Sequence, residues 1–154
     1  MTAAFLQRGG GWVLAQSLLL LAGLAAGPLG RGSGPLLPAV LAGWALVGLV
    51  AVFGLTGVAV LGRNRTIFPK PKADSTLIQH GIYRWVRHPL YTAVMALSAG
   101  WALLWSSWPA GVAAVALVAL LYFKALREER WLQAQFPAYA AYARRVRRFV
   151  PGLW

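Results

Sequence analysis

Residues 36–61 form one long apolar stretch without a single charged side chain. An α-helix rises about 1.5 Å per residue, so about 20 residues cross the roughly 30 Å hydrocarbon core of a bilayer. The stretch is longer than that. It predicts a transmembrane helix, and this restricts the chain to folds that sit in a membrane.

The composition of the whole chain agrees with a membrane fold. Of its 154 residues, 59% are hydrophobic and 12% are charged, whereas a typical soluble domain carries about 25% charged residues. The same hydrophobicity excludes intrinsic disorder. There is no cysteine, which excludes disulfide bonds, thiolate metal ligands and cysteine nucleophiles.

Three shorter apolar stretches cover residues 11–26, 90–105 and 109–126. Each needs interfacial residues at its ends to complete a span. We therefore predict an all-α integral membrane protein with about four transmembrane helices. It forms a single membrane domain over residues 1–154, and its first two helices lie within residues 1–61.

Two features at helix ends refine this prediction. Gly27 and Pro28 are expected to end the first helix. That helix follows Arg8 and precedes small residues, so it also resembles a cleaved secretory signal peptide; we favour the retained helix. Residues 106–109 read Ser-Ser-Trp-Pro, a compact turn that predicts a tight antiparallel hairpin of the third and fourth helices.

The basic residues predict the orientation of the helices. With four spans, every lysine and arginine except Arg31 falls on the side of the N-terminus, residues 62–89 and the C-terminal tail. Cytoplasmic loops carry an excess of basic residues, so we place both termini in the cytoplasm. Because these residues flank helices and no recognition module is present, we expect contact with anionic lipid headgroups and no nucleic-acid binding.

Polar side chains concentrate just before the third predicted helix. Pro89 suits the first turn of that helix, where a missing N–H costs nothing. This places Arg87 and His88 at the helix N-terminus, where free N–H groups and the helix dipole favour an anionic ligand group. Tyr83 and Tyr91 add hydroxyls on either side. The alternative is that Arg87 and His88 extend only to lipid headgroups.

Two of the three acidic residues, Glu128 and Glu129, are adjacent and follow the fourth apolar stretch. Acidic side chains at a helix C-terminus oppose the helix dipole, and anionic headgroups on the cytoplasmic surface also repel them. Lys124 lies four residues before Glu128, on the same helical face. We expect compensating positive charge from Arg87, Arg84 or a cationic ligand.

The C-terminal segment combines aromatic and basic residues. Large apolar and aromatic side chains at helical spacings predict an interfacial amphipathic helix: Trp131, Leu132, Phe136, Tyr139 and Tyr142. Pro137 is expected to interrupt this helix. Four arginines then form a basic patch that we expect to face lipid: Arg144, Arg145, Arg147 and Arg148.

The two polar segments together resemble the isoprenylcysteine carboxyl methyltransferase and phospholipid methyltransferase superfamily of integral membrane enzymes. The resemblance rests on GIYRWVRHPLY at residues 81–91 and on EERWLQAQFPAYAAY at residues 128–142. It covers residues 62–151, and the first two helices carry no signature.

The resemblance implies a methyltransferase that uses S-adenosylmethionine, with residues 62–154 as its cofactor-binding catalytic core at the cytoplasmic face. It implies a lipophilic small-molecule, lipid or lipidated methyl acceptor. A site with no cysteine, two histidines and two carboxylates is poorly suited to a metal hydrolase, so we expect no metal. Glu128 and Lys124 are the implied catalytic residues, with Lys124 at a position where the family usually has arginine. The implied cofactor-binding residues are Tyr83, Arg87, His88, Pro89, Tyr91, Glu128, Glu129, Tyr139 and Tyr142.

Two other functions remain open at this stage. Membrane sterol reductases share a similar Arg-His-Pro segment and C-terminal tyrosines but use NADPH, and they are normally much longer. A non-catalytic membrane scaffold could keep the same fold, with Lys124 as a first sign of lost activity. The oligomeric state stays open as well, because glycines at 43, 48, 54 and 57 allow close helix approach within or between chains.

Overall fold

A computed structural model describes residues 2–152, and within them it is all-helical. The α-helices, in chain order, are α1 (Ala3–Gln7), α2 (Gly10–Leu29), α3 (Leu37–Val50), α4 (Thr56–Leu61), α5 (Pro89–Trp105), α6 (Trp108–Gln135) and α7 (Tyr139–Arg145). A π-helical turn at Ala51–Leu55 joins α3 to α4, and short 3-10 turns occupy Gly62–Asn64 and Gly81–Arg84. Helix α5 packs against α3 and α6, and α2 packs against α6.

Within the described residues, three helical segments are long and apolar enough to cross a bilayer: Gly10–Leu29, Leu37–Asn64 and Trp108–Gln135. Helix α5 is apolar but has only 17 residues. The helices thus make the chain an integral membrane protein, as predicted. The fourth span and the cytoplasmic placement of both termini stay predictions.

The predicted hairpin between α5 and α6 is confirmed. Helix α5 ends at Trp105 and α6 begins at Trp108, with Ser106 in the left-handed conformation at φ 49°. Ser107 caps α6, because its Oγ accepts from the Ala110 N–H at 3.3 Å. The same Oγ donates to the Ala26 carbonyl at 2.7 Å, which ties the hairpin turn to α2.

Two predicted helix ends were wrong. Helix α2 continues through Pro28 to Leu29. A proline in the last turn removes only its own N–H donor from the helix, and the Gly30 N–H still donates to the Ala26 carbonyl at 2.9 Å. Helix α6 extends well beyond the apolar stretch to Gln135, since Glu129 and Gln135 find partners elsewhere in the protein.

The predicted C-terminal interfacial helix is also different in the structure. Trp131 and Leu132 belong to α6, and only α7 forms a separate helix beyond the break at Pro137. Tyr139 and Tyr142 of α7 are buried in the protein, so the aromatic spacing reflects packing against the site described below.

The glycines of α3 and α5 bring those two helices close together within one chain. A Cβ atom at Gly100 would lie 2.8 Å from the carbonyl oxygen of Gly43, and one at Gly43 would lie 3.1 Å from the carbonyl oxygen of Gly100. Real Cβ atoms do not approach backbone oxygens at the shorter of these distances. Small residues therefore set the spacing between α3 and α5.

Replacing Gly100 with alanine is expected to lower the free energy of unfolding by about 1–3 kcal/mol, because overpacking forces the two backbones apart. Denaturation of the purified protein in detergent measures the change. Gly48→Ala is the matched control, since a Cβ there meets no atom within 4 Å. Equal stability of the two variants would contradict the close approach.

Candidate active site

The start of α5 is held in place by the C-terminal segment. Residues 146–149, here called the C-terminal strap, run alongside residues 86–88 and form a single parallel bridge between Val86 and Arg147. The Arg87 N–H donates to the Arg147 carbonyl at 2.9 Å, and the His88 N–H donates to the Arg148 carbonyl at 3.0 Å. Two segments that are distant in sequence thus form one structural unit.

Glu129 lies at the centre of a buried ion cluster behind this unit, and only 7% of the residue is exposed. Arg87 donates to its Oε1 from Nε at 3.1 Å and from a terminal nitrogen at 2.9 Å. Arg148 donates to both carboxylate oxygens at 2.9 Å. The His88 Nε2 lies 3.1 Å from Oε1. We call these four residues the Glu129 cluster.

The cluster supplies the compensating charge expected for the acidic pair at one of its two members, Glu129, and it corrects one prediction. Arg87 is a partner, whereas Arg84 is exposed. The basic patch expected to face lipid divides: Arg144, Arg145 and Arg147 are exposed, but Arg148 turns inward. Its hydrogen bond to Glu129 raises the pKa of Arg148. Arg87 and Arg148 together pair with a carboxylate that is buried as a charged group, which would be unfavourable without such partners.

Beside the cluster lies a cavity of about 420 Å³, within the roughly 300–1,000 Å³ range of small-molecule sites. Helices α2, α5, α6 and α7 enclose it, and residues 64–78 form one of its walls. The predicted site residues that line the cavity are Tyr83, Arg87, His88, Pro89, Tyr91, Lys124, Glu128, Tyr139 and Tyr142. Glu129 is not among its lining residues.

Glu128 and Glu129 therefore occupy different environments. Successive residues of an α-helix point about 100° apart, so one carboxylate faces the cavity and the other lies in the cluster. Glu128 accepts a hydrogen bond from the Tyr91 hydroxyl at 2.5 Å. The Tyr91 ring is stacked on the His88 ring, with centroids 5.2 Å apart and planes 2° apart. This stack connects the Glu129 cluster to the cavity wall.

Lys124 is buried on the same cavity wall, one helical turn from Glu128, with 3% of its surface exposed. Its Nζ donates to the Gln16 Oε1 at 2.7 Å and lies 5.0 Å from the centre of the Tyr91 ring. Gln16 belongs to α2 and lines the cavity. Sequence reasoning missed it, although an amide within an apolar span is itself a signal.

The tyrosines of the site differ in how their hydroxyls are used. The Tyr142 hydroxyl donates to the Tyr83 carbonyl at 2.6 Å. Tyr139 is 1% exposed, and across residues 2–152 its hydroxyl is the one buried side-chain polar atom without a hydrogen-bond partner. Burial raises the pKa of Tyr139, which keeps its hydroxyl protonated as a hydrogen-bond donor.

Residues 65–78 cover the cavity as a non-helical lid. Gln135 at the end of α6 donates to the Lys72 carbonyl at 2.8 Å and to the Ser75 hydroxyl at 3.2 Å. On the opposite side, Phe68 packs edge-on against Phe5 with ring centroids 5.6 Å apart. The guanidinium of Arg8 lies 4.2 Å from the centre of the Phe68 ring. Residues of the N-terminal segment thus pack against the lid.

The chain is similar to known proteins over about two thirds of its length. Residues 38–139 match the phospholipid methyltransferase family. The chain is also 30% identical, over 109 residues, to the cobalt-zinc-cadmium resistance protein CzcN of Cupriavidus metallidurans. That match covers 68% of this chain and 50% of CzcN, so the chain spans about half the length of this curated relative. The family match confirms the resemblance seen in the sequence, and the chain belongs to the phospholipid methyltransferase family.

Proposed function

We propose that this protein is an S-adenosylmethionine-dependent methyltransferase that acts on a lipophilic or membrane-embedded acceptor. One observation carries the proposal: residues of both sequence motifs, His88, Tyr91, Glu128 and Tyr139 among them, line a single cavity. Membership of a methyltransferase family supports the reaction class, and it does not favour the NADPH-dependent reductase considered above.

The residues present fit this cofactor. S-adenosylmethionine carries a positive sulfonium and an amino-acid carboxylate, and the cavity offers groups of complementary character. Glu128 can face a cationic part of the cofactor, while the Tyr139 hydroxyl can donate to an oxygen. His88 stands at the N-terminus of α5, where polar groups of a ligand are favoured. We therefore assign Tyr83, Arg87, His88, Pro89, Tyr91, Glu128, Tyr139 and Tyr142 to the cofactor site.

When bound, S-adenosylmethionine supplies a methyl group whose leaving thioether departs uncharged, so the protein's task is mainly to position the reactants. Glu128 and Tyr91 are joined by a hydrogen bond. Together they give the cavity wall a carboxylate whose position is fixed by the tyrosine hydroxyl. Glu129 acts from behind the cavity by holding His88 and Arg87. Lys124 of α6 and Gln16 of α2 form the part of the wall where these two helices meet. We propose that they contact the acceptor.

The acceptor and the orientation are part of the same proposal. A family of phospholipid methyltransferases points to lipid acceptors. The basic residues that flank the site point to the cytoplasmic face under the positive-inside rule. We propose that α5 completes a fourth span and that residues 62–154 form the catalytic core. The polar groups retained on the cavity wall count against a non-catalytic scaffold.

Incubating the purified protein with methyl-labelled S-adenosylmethionine and a membrane extract tests this function, and we expect label in a lipid-soluble product. His88→Ala is expected to reduce the initial rate at least about tenfold, because it removes a group that orients the cofactor. His80→Ala is the matched control, since the chain has two histidines and His80 is exposed outside the cavity. Absence of labelled product, or equal rates for the two variants, would contradict the proposal.

A further inference from the structure

The C-terminal strap carries a role beyond the family match, which ends at residue 139. The strap accepts two backbone hydrogen bonds from residues 87 and 88. In addition, the Phe149 carbonyl accepts a hydrogen bond from the Thr92 hydroxyl at 2.9 Å. Phe149 is 1% exposed and lies 5.9 Å from the His88 ring, centroid to centroid. The strap is therefore a packed part of the core that directly contacts the start of α5.

Arg148 connects this strap to the site through side chains. It does not line the cavity, yet it binds both oxygens of Glu129, which also lies 3.1 Å from the His88 Nε2. The His88 ring stacks on Tyr91, and Tyr91 donates to Glu128. A continuous series of contacts thus leads from the strap to the carboxylate on the cavity wall.

We propose that Arg148 is a positioning residue of the cofactor site: by holding Glu129 it fixes the His88 ring and the direction in which Glu128 faces the cavity. The identity of the ligand rests on the proposed function. The positioning itself depends only on the contacts between Arg148, Glu129 and His88.

The chemistry of the guanidinium explains why an arginine is suited to this position. Its planar fork presents parallel donors that match the two oxygens of a carboxylate, which fixes the orientation of the carboxylate as well as neutralising its charge. A lysine would keep the charge and lose the fork. The orientation of Glu129, and with it that of His88, should therefore depend on arginine itself.

Calorimetric titration with S-adenosylmethionine tests the proposal in the chain of residues 1–154. Residues that orient the ligands of metal sites contribute about ten- to a hundredfold to affinity, and we expect the lower end here. Arg148→Met should weaken binding about tenfold, and Arg148→Lys should weaken it about threefold. Arg144→Met is the matched control, since it removes one exposed arginine outside the strap and should bind as the parent does.

A spectroscopic measurement separates positioning from a general loss of stability. With labelled histidine, the chain gives ring signals from His88 and His80 alone. Arg148→Met and Arg148→Lys should shift the His88 signals and leave those of His80 unchanged. If Arg148→Met does not fold, Arg148→Lys provides both measurements.

Unchanged His88 signals and unchanged affinity in a folded Arg148 variant would overturn the positioning role. Failure of the unaltered protein to bind S-adenosylmethionine would overturn the proposed function instead. In that case the His88 signals, which need no cofactor, still decide whether Arg148 positions this ring.

Discussion

Replacing Glu129 with alanine is expected to lower the free energy of unfolding by about 3–5 kcal/mol, because it leaves buried cations without their partner. Arg87 and Arg148 converge on this one carboxylate, and the side chains of Arg87 and Glu129 are 8% and 9% exposed. The cluster also joins α6, the start of α5 and the C-terminal strap. Its loss therefore removes the contacts of Glu129 with Arg87, His88 and Arg148 together. Chemical denaturation in detergent, followed by tryptophan fluorescence, measures the change.

Asp74→Ala is the control for this experiment. It removes the chain's third acidic residue, which is exposed on the lid, and should change stability by less than about 0.5 kcal/mol. If Glu129→Ala destabilised the protein no more than Asp74→Ala does, the ion cluster would not hold these segments together.

Replacing Glu128 with glutamine is expected to weaken binding of S-adenosylmethionine roughly thirtyfold, equivalent to about 2 kcal/mol, because it removes a charge that faces the cationic cofactor. The fold should survive, since the glutamine carbonyl can still accept from the Tyr91 hydroxyl. Calorimetric titration of the variant and of the parent protein measures the loss.

The product S-adenosylhomocysteine, whose sulfur is a neutral thioether, provides a control within the same experiment. It lacks the sulfonium charge, so Glu128→Gln should weaken its binding much less than that of S-adenosylmethionine. Equal losses for the two ligands would show that Glu128 does not act through its charge on the sulfonium.

The helices could be predicted from the sequence because hydrophobicity along the chain decides them. The charge-free stretch and the Ser106–Ser107 turn gave the central helix and the hairpin at nearly their observed bounds. The end of α6 could not be predicted in this way. Its last two turns are polar, and they stay helical because Glu129, and Gln135 at its end, bind residues far away in the sequence.

The residues that meet at the candidate site could be predicted from the sequence as far as they share a local motif. His88, Tyr91 and Glu128 meet at the cavity as the two motifs predict. Gln16 and Arg148 were not identified, because their roles depend on α2 and the C-terminal strap folding back onto that region. The adjacent glutamates show the same limit. They are neighbours in the sequence, but the structure is needed to see that Glu128 faces the cavity while Glu129 lies in the cluster.

Paired titrations of the unaltered protein with S-adenosylmethionine and with NADPH test the central claim most directly. We predict saturable binding of S-adenosylmethionine at one site per chain, lost or strongly weakened in Glu128→Gln, and no saturable binding of NADPH. Saturable binding of NADPH, or no binding of S-adenosylmethionine to the folded protein, would contradict the account.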